Sequence, residues 1–466
     1  YFNETNPTKK QDYKKQIDEL ISQITNGHTE FDFEVYFSEV FHHKGGFDMV
    51  IANPPYISHD KILVEKKLLK KQYQSYEPFA DIYCFFIEKG IKLQNKKGIL
   101  SFITSNSYLR AEYGAPLRKL IRKENELLDI VNLEDTQIFE DAIVNVAILI
   151  SAKGFLRRKC FVFSQPSSGS IFNFAEFITS KGFMYDQIIF DSKSWSLVEP
   201  EQVMIQQKIE KGGKPLEQLG AKIRLGLATG HNEAFIIDEN KRKEFIKQNH
   251  KNAEIIKPVL RGRDIFRYYY ESPDLYILLT KNGVNVQKDY PDIYKYLDGF
   301  GQSFKKRGAQ GQHWTNLRAA AFFDDFKEEK IIWIELTDIG RFALCKDEIY
   351  LLNSAYFLLP PPKINIKYLI GVLNSKLIHF YLGIIAETSG MGVSRWINNY
   401  VKEFPIANPT DDKQAQIINL VDRILTVKRE NPAADTSELE KQIDQIVYKL
   451  YGLTEDEIKI MENSNS

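Results

Sequence analysis

Apolar residues recur in two different periods along the N-terminal part of the chain. Ile17, Leu20, Ile21 and Ile24 fall on one stripe, which predicts an amphipathic helix over 9–25. The run FDMVIA, ending at Ala52, is apolar on both sides of its two-residue period. That pattern predicts a short strand covered on both faces, as in a parallel sheet. Pro54 and Pro55 stop it, because proline cannot donate to a ladder. The periods then alternate: a helix over 81–93, the strand GILSFIT, a helix over 117–123, and the strands LLDIVNL and VNVAILIS. This rhythm predicts a layered α/β sheet. The sheet-like pattern fades after FLRRKCFVF.

Around Ser192 the texture changes. LGAKIRLGLATGHNEAFIID has many glycines and short apolar runs, and no regular strand–helix alternation follows as far as about Asn408. An irregular α+β domain is expected over 192–408, with one long apolar helix in LLPPPKINIKYLIGVLNSKLIHFYLGII. The tail, 409–466, reads as a helical hairpin packed with that domain. Ile417, Leu420, Val421, Ile424 and Leu425 stripe one helix, and Leu439, Ile443, Ile446, Val447 and Leu450 the next. Ser437 is the expected N-cap of the second, and Gly452 its stop. The first domain is expected to span 1–191.

Composition narrows the classes. Hydrophobic residues make up 43% of 466, ample for buried cores, so the 13% aromatic share is first of all core. Lys+Arg and Asp+Glu balance at 62 each, which excludes a histone-like or basic-arm binder but not a local basic face. Cys84, Cys160 and Cys345 are few, odd in number and far apart, with neither zinc spacing nor a disulfide framework. Buried thiols in a reducing cytoplasm are expected. No apolar run is long enough to span a bilayer, so no membrane partner is expected. His42 and His43 are adjacent and lack a carboxylate cluster, so no metal site is expected.

The chemistry concentrates in Asn53-Pro54-Pro55-Tyr56, directly after a strand, where open α/β sheets carry their sites. An exocyclic amine is a poor nucleophile because its lone pair is delocalised into the ring. Two acceptors aimed at its hydrogens would pull it toward a tetrahedral shape. The Asn53 side-chain oxygen supplies one. The proline-stiffened backbone carbonyl of Pro54 supplies the other. The adjacent Tyr56 ring can hold a base flat. In isolation, such a tetrapeptide is equally well read as a structural turn.

Context separates the two readings. GGFDMVIANPPYI, followed by ADIYCFFIEKGIKL, GILSFITSNSYL and TQIFEDAIVNVAILI, resembles the gamma-class, TaqI-type adenine-specific DNA methyltransferases, and in particular type IIG restriction–modification enzymes. GLATGHNEAFII, IKPVLRGRDI, GVLNSKL and LEKQIDQIVYKLYGLTEDEI resemble that family's specificity region. The resemblance covers nearly the whole chain. It implies part of a Rossmann-like methyltransferase sheet, then a target-recognition domain, then the helical segment. It implies that Asn53 and the Pro54 carbonyl accept from the target adenine amine, that Tyr56 stacks on the flipped base, and that Phe139 contacts its other side. It places Phe86 near the adenine of S-adenosylmethionine, though Phe85 and Phe86 are equally well read as core. The base must leave the stack, because a paired amine is inaccessible.

The glycine-rich turn by which the family holds S-adenosylmethionine is expected before the catalytic loop, and none lies in the residues preceding Asn53. The expectation is therefore a fragment of a longer enzyme, inactive alone, with any Mg²⁺-dependent nuclease further upstream. Glu328-Glu329-Lys330 matches a nuclease Glu-x-Lys only formally. Two stretches interleave basic and aromatic residues. They supply Arg261, Arg263, Arg267, Lys305, Lys306, Arg307 and Trp314 as candidates for contact with double-stranded DNA. Read without the resemblance, these are ordinary solvated surface. Two other functions fit the loop: a DNA-recognition module with a vestigial methyltransferase half, and a protein-glutamine methyltransferase, whose chains are short after the loop. Neither the recognition sequence nor the oligomeric state is legible.

Overall fold

The computed structural model describes residues 4–27, 31–133, 145–155, 159–164, 176, 179, 182–191, 194–386 and 394–464. The chain divides into two compact units, Tyr1–Pro200 and Glu201–Ser466. Residues 194–197 stay with the first because the Trp195 amide donates to Leu109 O and its indole N–H to Phe190 O.

The first unit is built on a six-stranded mixed sheet. Its strands are β1 (Phe47–Ala52), β2 (Gln94–Ser105), β3 (Glu126–Leu133), β4 (Val146–Ala152), β5 (Lys159–Ser164) and β6 (Phe183–Asp186), in the order β1-β2-β4-β3-β5-β6. β1 runs parallel to β2, and β3 parallel to β5, while β4 is reversed between β2 and β3. The α/β reading of the sequence holds. β6 adds a strand beyond the point where the apolar pattern fades.

β1 departs from expectation. It is an edge strand, Met49 and Ile51 are 59% and 74% exposed, and none of its residues is fully buried. Its apolar run therefore gives no covered strand among the described residues. The helix Pro7–Ile24 likewise forms with Ile17, Leu20 and Ile24 exposed. Helix Ile82–Leu93 behaves as its pattern dictates and buries Tyr83, Cys84, Phe85 and Ile87.

The second unit is α+β. In one sheet, Lys330–Ile334 pairs antiparallel with Phe342–Cys345 on one side and Ala355–Leu359 on the other, and Ala355–Leu359 pairs with Lys222–Leu225. In a second, Ile256–Leu260 lies between Tyr350–Leu351 and Leu275–Leu278, and Leu275–Leu278 pairs with Ile236–Asp238. The single long apolar helix is in fact two, Ile366–Leu373 and Lys376–Ile385, bent by 61°. The break is polar. Asn374 donates to Phe342 O and accepts from Phe342 N, and Ser375 caps the second helix by accepting from Ile378 N. No single helix among the described residues is long and apolar enough to cross a membrane.

The tail helices are Asp411–Glu430 and Ser437–Leu450, followed by a third, Glu455–Ser464. Thr436, rather than Ser437, stands at the N-cap position.

Candidate active site and DNA interface

The loop Asn53–Tyr56 leaves the end of β1 where Ala52 pairs with Phe102 of β2. Gly46 makes the entry to β1 possible. It has φ +135°, and a Cβ there would lie 2.6 Å from Leu93 O. After the strand, Pro54 is buried and anchors the loop, while Asn53 and Pro55 are exposed. Tyr56 is half-buried against Val131, Leu133, Val146 and Phe163, at the ends of β3, β4 and β5. Burial raises its phenol pKa above the ordinary value, so the ring is neutral at pH 7. The loop thus presents an exposed amide beside an aromatic ring braced by apolar side chains.

Two buried polar groups that the sequence reading missed support this region. Asn132, at the end of β3, accepts from Asn106 Nδ2 at 2.9 Å, and Asn106 N donates to Asn145 O at 3.0 Å. These bonds tie the ends of β2, β3 and β4 together. The available signal was a polar residue inside an apolar strand, LLDIVNL. Glu88 is the second. Its side chain is fully buried and accepts from Gln74 N at 3.0 Å, Ser75 N at 2.8 Å and Lys92 Nζ at 2.6 Å. Burial alone would raise this carboxyl; the bonds from Lys92, Ser75 and Gln74 outweigh it and hold it below the ordinary range.

The aromatic candidates part ways. Phe85 is core at 3% exposure, whereas Phe86 turns outward at 42%. Phe139 lies outside the described residues.

The basic candidates also separate. Arg307 is buried. Its Nε donates to Thr229 O at 3.0 Å, Nη1 to Trp314 O at 2.5 Å and Phe304 O at 3.4 Å, and Nη2 to Asn316 O at 2.8 Å. Burial lowers its pKa to about 10. This guanidinium holds a loop together and has no fork left for a phosphate or a guanine. Arg267 donates to Glu440, Gly340 O and Asn374 O, clamping its turn to the C-terminal helices. Arg261 is bidentate to Asp264, at 3.0 and 2.8 Å. Lys305 pairs with Asp298 and lies 4.9 Å over the half-buried Trp314 ring. Arg263 and Lys306 are exposed, with no ion pair among the described residues. Of the seven candidates, these two cations are the ones positioned to meet a polyanion without first breaking a bond.

The Glu328–Lys330 segment is no nuclease site. Lys330 is buried, and its Nζ donates to the carbonyls of Phe326, Glu328 and Asp347, while Glu329 pairs with Lys346. No group of three or more His, Cys, Asp or Glu side chains among the described residues could hold a metal ion. The three cysteines are free and buried.

A mixed sheet with its loop at one strand end, followed by an α+β unit, is the layout of a methyltransferase domain joined to a specificity domain. Residues 1–139 match the Eco57I restriction-modification methylase family, and residues 257–406 match the TaqI-like C-terminal specificity domain. Each of the two units thus carries a segment similar to one domain of a restriction–modification methylase.

Among its relatives is the type II methyltransferase M.BstVI of Geobacillus stearothermophilus, 21% identical over 448 residues, covering 90% of this chain and 75% of that protein. Another is the type II methyltransferase M.PaeR7I of Pseudomonas aeruginosa, 22% identical over 440 residues, covering 89% and 72%. The fold resembles that of the type IIL restriction–modification enzyme MmeI, solved in complex with DNA. That likeness has a TM-score of 0.60 at 12% identity, and it covers 90% of this chain but 56% of that one. The chain therefore spans little more than half of that solved protein.

Proposed function

We propose that this chain carries the chemistry and the sequence reading of a site-specific adenine-N6 DNA methyltransferase in a type II restriction–modification system. The observation that carries the reading is the Asn53–Tyr56 loop: an exposed amide after a parallel-paired strand, next to a ring braced by the ends of three others. The Asn53 oxygen and the Pro54 carbonyl accept from the two amine hydrogens and localise the nitrogen lone pair. Tyr56 lies against the flipped adenine. Stacking of this kind is worth about 1–3 kcal/mol per base, enough to offset much of the unpairing cost. S-Adenosylmethionine supplies the methyl group, and the exposed ring of Phe86 is this chain's flat face for its adenine. The second unit reads the duplex, with Arg263 and Lys306 as its first phosphate contacts.

The test uses the full-length enzyme and a duplex substrate. Asn53→Ala should abolish N6-methyladenine in the digested product while duplex affinity stays within a few-fold of the parent. Tyr56→Phe should retain activity. Methylation near the parent level in a folded Asn53→Ala variant would remove the loop from the active site. N4-methylcytosine as the product would overturn the choice of base, and methylation of a glutamine-bearing protein instead of DNA would overturn the substrate.

A further inference from the structure

The segment after the catalytic loop is a closed excursion with firm roots. Ile82 N donates to Ile57 O at 3.2 Å, and His59 N donates to Asp81 Oδ1 at 2.8 Å. Further out, Lys66 Nζ donates to Pro78 O at 2.7 Å, and Glu88 holds the amides of Gln74 and Ser75. What these bonds hold out is the short helix Lys66–Gln72.

Lys67, Lys70 and Lys71 stand at i, i+3 and i+4 on that helix and so share one face. All three are exposed, and none has a carboxylate within 4.0 Å among the described residues. Another basic helix handles such a cluster differently. In helix Glu239–Gln248, Lys241 pairs with Glu244, and Arg242 and Lys243 pair with Glu239. Like charges at these spacings repel, so an unneutralised triad is a standing cost to its own helix. A polyanion laid along the face would remove that cost. The excursion begins at Ile57, the residue after Tyr56, so a polymer acted on at the loop lies beside it.

We infer that the arm 57–82 is a phosphate clamp of the catalytic unit, with Lys67, Lys70 and Lys71 gripping the backbone of the duplex beside the flipped base. This rests on the methyltransferase reading. It adds a contact surface to the unit that does the chemistry, separate from the specificity unit. Leu63, Val64 and Leu68, at 63%, 90% and 56% exposure, flank the basic face. They make an anionic membrane the competing occupant.

The test is duplex binding by the full chain, by fluorescence anisotropy between 50 and 200 mM salt, for the parent, for Lys67→Gln/Lys70→Gln/Lys71→Gln and for the corresponding triple Arg variant. Three phosphate contacts lower the slope of log K against log salt by about 2.7, so the parent should lose about 40-fold more affinity over that range than the Gln variant. The Arg variant should keep the parent slope. A Gln variant with the parent's slope, or one that weakens binding at unchanged slope, overturns the clamp. If the full-length enzyme with the parent arm still methylates DNA, the methyltransferase reading stands. A parent that binds no duplex overturns both, and binding to phosphatidylserine vesicles instead of DNA assigns the arm to a membrane.

Discussion

Replacing Arg307 with alanine should unfold the second unit more readily and should leave phosphate binding by the folded protein intact. The guanidinium makes three bonds of 2.5–3.0 Å and a fourth at 3.4 Å, all to backbone carbonyls. It also lies 4.7 and 4.6 Å from the ring centres of Phe235 and Phe304. Each orphaned buried carbonyl costs about 1–3 kcal/mol, and the cation–ring contacts add about 1 kcal/mol. Water entering the vacated space recovers part of this, leaving about 4 kcal/mol of destabilisation. Lysine cannot reproduce the fork, so Arg307→Lys should recover less than half. Tryptophan fluorescence during urea unfolding is a suitable assay, because Trp314, Trp333 and Trp396 lie in the second unit and Trp195 in the first. Arg263→Gln is the contrasting variant. It should change stability by no more than about 0.5 kcal/mol and lower the salt slope of duplex binding by about 0.9. If Arg307→Ala changed stability by less than about 1 kcal/mol and lowered the slope as Arg263→Gln should, Arg307 would be a DNA contact and the buried-clasp argument would fail.

Two further outcomes follow from buried carboxylates. Burial pushes Asp444 up to about 6, against the bond from Lys376 N and the nearby charges of Arg267 and Lys376. A raised folded-state pKa means the contribution is complete at low pH and is lost as pH rises through 6. The second unit should therefore lose stability between about pH 4 and 7, by at most about 3 kcal/mol from this group. Asp444→Asn should flatten that loss in urea titrations at the two pH values, and an unchanged difference would refute the assignment. Glu88→Ala strips the acceptors from Gln74 N and Ser75 N. It should cost about 3 kcal/mol and speed hydrogen exchange at those two amides, whereas unchanged exchange would show that the arm is held by other bonds.

Much of the fold was legible because it rests on local pattern. GILSFIT, LLDIVNL and VNVAILIS are β2, β3 and β4, and the helix stripes of 82–93 and 411–430 point inward as written. The failures have a common physical cause: pattern records what a segment prefers and leaves open what its neighbours supply. FDMVIA forms the expected strand and pairs in parallel, and among the described residues its other edge has no partner. The apolar run after Pro362 has the composition of one helix, yet two polar residues, Asn374 and Ser375, find backbone partners and break it. The site divides in the same way. The Asn53–Tyr56 loop could be found from proline chemistry at a strand end. Asn132 left only the signal of a polar residue inside an apolar strand, and Glu88 left none, because their partners are amides or side chains distant in sequence that only the fold brings to them.

The same distinction resolves the apparent conflict between a neutral chain and a polyanionic substrate. With 62 cationic and 62 acidic side chains, composition gives no sign of nucleic acid. Yet affinity for a nucleic acid depends on the cations free to neutralise its phosphates and so release its condensed counterions, and a buried or paired cation is not free to do so. Arg307 and Lys330 are spent on carbonyls, and Arg261, Arg267 and Lys305 on carboxylates. Basic–aromatic interleaving in sequence cannot make this separation, because RGRDIFRYYY contains an exposed arginine, a bidentate pair and a half-buried clamp within seven residues. The unpaired cations are instead found where acidic partners are missing in space. Among the described residues, Arg263 and Lys306 in the specificity unit meet that condition singly, and Lys67, Lys70 and Lys71 meet it together on one helical face beside the catalytic loop.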